Sequence, residues 1–504
     1  MVFINFISMR LLFALLLFSP TLYAQSYDPN RLYTPQQLRE DFQVLHMALE
    51  QLHPGLYRYT PRDSMDVAYR QTLSQLTKPM TDAAFGLVVR PYLGLVRCVH
   101  TSLNASADRS RYVRRNKFAP FPLSLIHDQG RLYVAPAPKD QPTIKAFDEL
   151  VAVNGKSVST LLRQFESQNW ADGYITAARR SLTATRFGTW YQAAFGYSDS
   201  LTVLVADSSG QLRTETLRFS RKSVKKDQKK AEADTARKQQ QTLRSAPLLK
   251  KKELSLTLVD DDSTAPTNQL AVLRIDGFEN EAMRRQFRRV FRLLRERNVK
   301  RLVIDVRGNF GGSAITCRDL LRYVADRPFR FWDSTVAKRR DKGNLPAQVR
   351  YGGLFPWLDL KLRVKRDANG LLQQTYYRRE VKPYTRRRFT GPVFVLTNSL
   401  SFSAAAIFPA LARSLNSQVT IVGRETGGGE VSCNAGHSFR VELPNTKYQL
   451  MVPYYHIRWN SQQPDRGLGV QPDVPVAVGP ATWRSGRDAD LDRVKALVRT
   501  RSVQ

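Results

Sequence analysis

Three hydroxyls stand on alternate positions in 391-GPVFVLTNSLSFSAAAIFPALARSL-415, at Ser399, Ser401 and Ser403. An apolar strand from Val393 to Leu396 precedes them, and an Ala-rich helix follows. A serine in the first turn of a helix faces unpaired N–H groups and the positive end of the dipole. With Ser403 as nucleophile, the Ala404 N–H would be free to bind a developing oxyanion. The same position suits an N-cap, so Ser401 or Ser403 also has a plain structural use. A second set of donors lies in 305-DVRGNFGGS-313, where a strand ends at Asp305 and a glycine loop follows. Gly311 and Gly312 would let backbone N–H groups approach a ligand closely, or would simply make a tight turn. A serine nucleophile also needs a base. Of six histidines, His46 and His53 fit a helix pattern, His127 precedes a turn, and His437 and His456 lie in or near late strands. His100 differs, because it closes an apolar helix and is followed by Thr101-Ser102. A capping or core histidine is its other reading.

These residues must be positioned by three kinds of chain. Residues 33–100 read as helical: Leu38, Phe42, Leu45, Leu49 and Leu52 recur at helical spacing until His53-Pro54. Two more helical stretches, 62–76 and 81–96, follow. Residues 118–220 read as β-rich, with a hairpin around Gln129-Gly130, a strand and Asn154-Gly155 turn leading into a helix, and a hairpin over 200–219. The segment 221–252 holds twelve Lys/Arg against three acids and reads as a flexible linker. Residues 268–480 alternate strand and helix, as an α/β core does. Within it, 301-RLVIDVRG-308 is continuously apolar, the pattern of a strand buried on both faces.

The whole chain of 504 residues is long enough for two or more domains. Arg10 and the apolar run 11-LLFALLLFSPTLYA-24 read as a secretory signal peptide over 1–24, too short and Pro-interrupted for a stable membrane span. The mature chain is therefore expected in the periplasm or outside the cell. The formal charge of +34 favours polyanions, so contact with anionic envelope surfaces is a further expectation. Without a zinc finger, an RNA-binding signature or an aromatic-basic stacking pattern, nucleic acid is not expected as a partner. Cys98, Cys317 and Cys433 make no disulfide framework, and their spacing argues against a metal site.

Three segments, in order, resemble the C-terminal-processing (tail-specific) and tricorn-core serine peptidases: 93-LGLVRCVHTSL-103, 301-RLVIDVRGNFGGS-313 and 391-GPVFVLTNSLSFSAAAIF-408. The second matches the family's D-x-R-x-N-x-G-G loop, and the third its nucleophile helix. The resemblance implies an α/β fold with a crotonase-like (ClpP/crotonase) catalytic core over 265–480. It also implies an N-terminal helical subdomain over 30–110 and a PDZ-like β-rich domain over 115–220, the latter from 148-DELVAVNGKSV-158. A basic linker over 221–262 and a C-terminal helix or tail over 481–504 complete this division. Ser403 matches the nucleophile; Gly311 or Gly312, with Ala404, matches the oxyanion hole.

No lysine occurs between Ser403 and Lys447, which departs from the Ser–Lys branch. His100 instead matches the histidine of the tricorn-like branch. The late 469-GVQPD-473 motif suggests Asp465 as the triad acid, with Glu425 and Glu430 as alternatives. The acid that the family often carries in the nucleophile helix is Ala406 here. The implied activity is hydrolysis of peptide or unfolded-protein substrates through an acyl-enzyme, with no cofactor and no metal. A catalytically inactive relative that binds peptides or other ligands is the alternative. The glycine run 427–429 reads either as a mobile loop beside the site or as a simple β-turn.

Overall fold

The computed structural model of the chain describes residues 27–135, 141, 143–219, 247–259, 270–279, 282–341, 349–459 and 464–501. The expected signal peptide and most of the basic stretch, 220–246, lie outside the described residues.

The run Arg301–Asp305 is continuously apolar because both of its faces are covered. It lies in a seven-stranded sheet ordered Val474–Pro475, Val419–Gly423, Val393–Thr397, Arg301–Asp305, Leu270–Ile275, Leu254–Val259 and Leu249–Lys251. The first five strands are mutually parallel, and the last two are added antiparallel. On one face, Leu302, Ile304, Val393 and Val395 pack in a core with helices Met283–Glu296, Ala314–Leu321 and Ala404–Leu415. On the other, Val303, Phe394 and Leu396 meet Leu491, Val494 and Val498 of the C-terminal helix Ala489–Arg501. The end of the segment read as a linker forms strands of this sheet instead. Its alternating Leu254, Leu256 and Leu258 supply the strand signal that the neighbouring lysines obscure.

The N-terminal unit is helical as its spacing predicts, with helices Pro35–Leu52, Arg62–Gln75 and Asp82–Gly94. Thr34 and Gln37 form a capping box on the first, and Thr81 caps the third. After the third helix the chain makes a short strand, Ser102–Asn104, antiparallel to Gln449–Met451 of a second seven-stranded sheet. That pairing fixes the segment carrying His100.

The unit over 115–220 has its own core, including Leu132, Leu150, Phe165, Phe187 and Val203. Its six-stranded antiparallel sheet contains the three turns expected from sequence. It also carries helices Thr176–Thr185 and Phe187–Phe195, so it is less purely β than its hairpins suggest. Among the described residues no helix is long and apolar enough to cross a membrane.

Candidate active site

The parallel strands end together, with Asp305 beside Leu396 and Thr397 beside Gly423. Ligands of open parallel sheets bind at such carboxyl ends. Here the three serines take different tasks. Ser399 Oγ lies 2.7 Å from Ser181 Oγ, tying the loop to the neighbouring unit. Ser401 is buried; its Oγ donates to Val306 O at 2.9 Å and accepts the Asn398 N–H at 3.1 Å. Ser403 stands at the N-cap position of Ala404–Leu415, yet its side chain caps nothing. Its backbone is at φ 49° and ψ −121°. For a residue with a Cβ such a conformation costs on the order of 1–3 kcal/mol and persists only where its surroundings impose it. The Ala404 N–H has no acceptor among the described residues.

The glycine loop supplies those surroundings. Gly311 and Gly312 have φ of 102° and 128°. A Cβ at Gly311 would stand 2.7 Å from Ser403 Cβ and 3.1 Å from Ala404 N, so the loop backbone lies directly against the serine. Asn309, fully buried, holds the loop there. Its Oδ1 accepts the Gly311 N–H at 2.7 Å, its Nδ2 donates to Ile275 O at 2.9 Å, and its carbonyl accepts the Phe402 N–H at 2.9 Å. The Gly311 N–H is thereby used, whereas that of Gly312 has no acceptor among the described residues. Of the two glycines expected at an oxyanion hole, the geometry favours Gly312 as donor and Gly311 as spacer. A Cβ at Gly428 would stand 2.9 Å from Ser403 N, so the other glycine run also abuts the serine. That run is buried and pinned rather than loose. The Gly427 and Gly428 N–H groups both donate to Ser401 O, and Gly429 bridges to Gly469.

His100 lies half-buried between the third helix and the strand Ser102–Asn104. A nitrogen of its ring, a carboxylate oxygen of Asp172 and the Cys98 thiol all lie within 4.8 Å of one another. Asp172 Oδ1 accepts the Val99 N–H at 2.9 Å. Asp172 Oδ2 and His100 Nδ1 are both buried with no hydrogen-bond partner within 3.5 Å among the described residues. Burial lowers the His100 pKa from its ordinary value, and Asp172 opposes that shift; burial likewise raises Asp172, and His100 opposes it. Burial pushes the Cys98 thiol up to about 12. Val99 and Phe402, the residues before His100 and Ser403, belong to one apolar cluster with Ala171 and Ile175. The segments carrying His100 and Ser403 therefore pack together.

The acids expected from sequence are otherwise engaged. Asp465 pairs with Arg58 and accepts from Ser432 Oγ at 2.8 Å and from the Gly467 N–H at 3.2 Å. Glu425 accepts the Gly469 N–H at 2.9 Å, and Glu430 pairs with Arg413. The carboxylate beside His100 is Asp172, which sequence reasoning missed. Its only signal is an Asp-Gly step inside the aromatic stretch 170-WADGY-174. Lys447 is exposed, with its Nζ on Pro444 O at 2.7 Å, and offers no base. Asp305 and Arg307 of the loop motif serve position. The Arg307 guanidinium donates to Asp305, Asp488 and Asp490, anchoring the C-terminal helix beneath the loop.

The family model described as peptidase family S41 matches residues 269–476. A protein of Chlamydia trachomatis is 23% identical over 238 residues, spanning 40% of this chain and 38% of that relative. Among solved structures, mature CPAF complexed with lactacystin is similar with a TM-score of 0.66 and 16% identity, over 92% of this chain and 98% of that one. Mature CPAF alone gives a TM-score of 0.63 at 16% identity, over 92% and 97%. At these identities the likeness establishes the fold.

Proposed function

We propose that this chain, which carries a peptidase family S41 domain, is a serine peptidase that cuts peptide bonds through an acyl-enzyme on Ser403. His100 acts as general base, Asp172 orients it, and the N–H groups of Gly312 and Ala404 stabilise the oxyanion. The observation that carries this reading is Ser403 itself, held at positive φ with its hydroxyl free of capping and Gly311 packed against it. A strained serine between a glycine loop and a helix start is arranged to present Oγ to a carbonyl.

The steps follow from general acid–base chemistry. His100 takes the Ser403 proton as Oγ attacks the carbonyl carbon. Charge develops on the carbonyl oxygen, which the two unpaired backbone N–H groups would stabilise. Collapse expels the amine, which takes its proton from the His100 imidazolium. Water, deprotonated by His100, then releases the acyl group and restores the hydroxyl. Asp172 favours the imidazolium formed in between, at a site where burial alone would disfavour it. A PDZ-like role is assigned to the 115–220 unit, in which an edge strand of its antiparallel sheet would take an extended peptide. The apolar N-terminal run supports export, and peptides or unfolded proteins are the substrates proposed.

Labelling with a fluorophosphonate probe tests this directly. The probe should attach to the peptide containing Ser403 and not to Ser399 or Ser401. Labelling of another residue, or none in a folded chain, would refute the assignment.

A further inference from the structure

A cavity of about 610 Å³ lies between the helix Asp82–Gly94, the strand Ser102–Asn104 and the helix Phe187–Phe195. Val99 and Thr101, on either side of His100, stand in its wall. The volume is typical of small-ligand sites. Its charge is one-sided, since Arg90, Arg109 and Arg186 line it and no carboxylate does. Arg109 is partly neutralised by Asp82, 3.5 Å away. Arg90 and Arg186 form no ion pair among the described residues. Arg90 donates to Leu103 O and lies over the Trp190 ring, 4.8 Å from its centre. Among the described residues the Arg186 guanidinium reaches only Asn169 Oδ1, at 3.5 Å. Burial, and then the neighbouring charges of Arg109 and Arg186, lower the Arg90 pKa, while Tyr448 opposes them.

A second observation points the same way. Trp190 is 7% exposed, and its indole N–H is buried with no acceptor among the described residues. Gln168, also in the wall, keeps one unfilled acceptor, Oε1. The unmet capacity is thus mainly donor capacity, beside the flat apolar surfaces of Trp170 and Trp190. An unpaired cation near a cavity gains most from an anion, and guanidinium groups match carboxylates in geometry.

We propose that this cavity binds a carboxylate with an apolar body, the carboxylate on Arg90 and Arg186 and the body against Trp170 and Trp190. The ligand is either a free organic acid or the carboxylate end of a peptide. The site is distinct from the Ser403 chemistry and holds whether or not Ser403 cuts peptides.

Calorimetry on the full chain carrying Ser403→Ala tests it without turnover. The probes are 3-phenylpropionate, its amide, an octapeptide ending in a free Phe carboxylate, and the same peptide amidated. A free acid should bind saturably and its amide at least about tenfold more weakly. Arg186→Gln, at an exposed position, and Arg90→Gln should each weaken the acid by a similar factor while the chain stays folded by circular dichroism. Binding of 3-phenylpropionate supports a small-acid site, and binding of the acid-ended peptide alone supports a chain-end site. Equal binding of acids and amides, no saturable binding of either acid, or acid binding unmoved by Arg186→Gln would overturn the proposal. Because Ser403 is absent throughout, a failure here is separate from a failure of the peptidase reading.

Discussion

Asp172 accepts the N–H of Val99 at 2.9 Å, so the carboxylate beside the His100 ring is tied to the backbone that carries the ring. One oxygen is spent on that tie, and the other is buried with no hydrogen-bond partner within 3.5 Å among the described residues. An acid held in this way is positioned before any substrate arrives.

Asp172→Asn should therefore lower kcat by roughly 10³–10⁴, the cost of presenting a histidine in the wrong tautomer. Asp465→Asn should leave kcat at the parent value, since Asp465 serves Arg58 and Ser432. Steady-state kinetics on the two purified variants separates the assignments, and the reverse pattern would restore Asp465.

The pH dependence follows from the His100 environment. A base must be neutral to accept a proton, and burial moves its pKa below the ordinary 6.5. The acid limb of kcat/KM should accordingly have its inflection below 6.5, with activity lost as pH falls through it. Asp172 raises the His100 pKa, so Asp172→Asn should move that inflection to still lower pH in whatever activity remains. A limb that stays above 6.5 would mean another group is titrating.

Gly311 tolerates no side chain. At φ 102°, with the Ser403 Cβ only 2.7 Å from where its own Cβ would lie, Gly311→Ala must displace the serine or the loop. A displaced loop would carry the neighbouring Gly312 donor out of place; losing one oxyanion donor costs on the order of 10²–10³ in kcat, and a fall of that size with little change in KM is expected. Activity close to the parent would place the oxyanion site elsewhere.

Arg307 is a matter of stability. It is buried among Asp305, Asp488 and Asp490, and Arg424 also reaches Asp490. Burial would raise Asp305, but Arg307 and Arg274 hold it down to about 2. Its stabilising contribution is therefore present above the ordinary 3.8 and is lost as pH falls towards 2. Arg307→Leu leaves buried carboxylates uncompensated and should destabilise the fold by about 3–5 kcal/mol, read as a lowered Tm at neutral pH. An unchanged Tm would contradict the anchoring role.

The parts of this molecule that local pattern determines were legible in its sequence. The apolar run 301–305 and the Asn-Gly turn at 154–155 are each set by neighbours along the chain. The unpaired N–H groups of Gly312 and Ala404 are what a glycine loop and a helix start advertise, whereas the Gly311 N–H is taken up by Asn309. Asp172 was not. It meets His100 across 72 residues through folding of the intervening unit, and its Asp-Gly step reads equally well as an ordinary turn. The strands at 249–259 were hidden for another reason, because the neighbouring lysines carry the composition of a linker although the alternating leucines carry that of a strand.

In the proposed mechanism Ser403 and His100 act as one catalytic unit. The decisive measurement is hydrolysis of casein by the chain, beside Ser403→Ala and His100→Ala variants shown to be folded. The parent should cleave, and both variants should lose cleavage to a similar, very low level. Cleavage retained by His100→Ala while Ser403→Ala is dead would place the base elsewhere, and a parent as inert as both variants would contradict the peptidase itself.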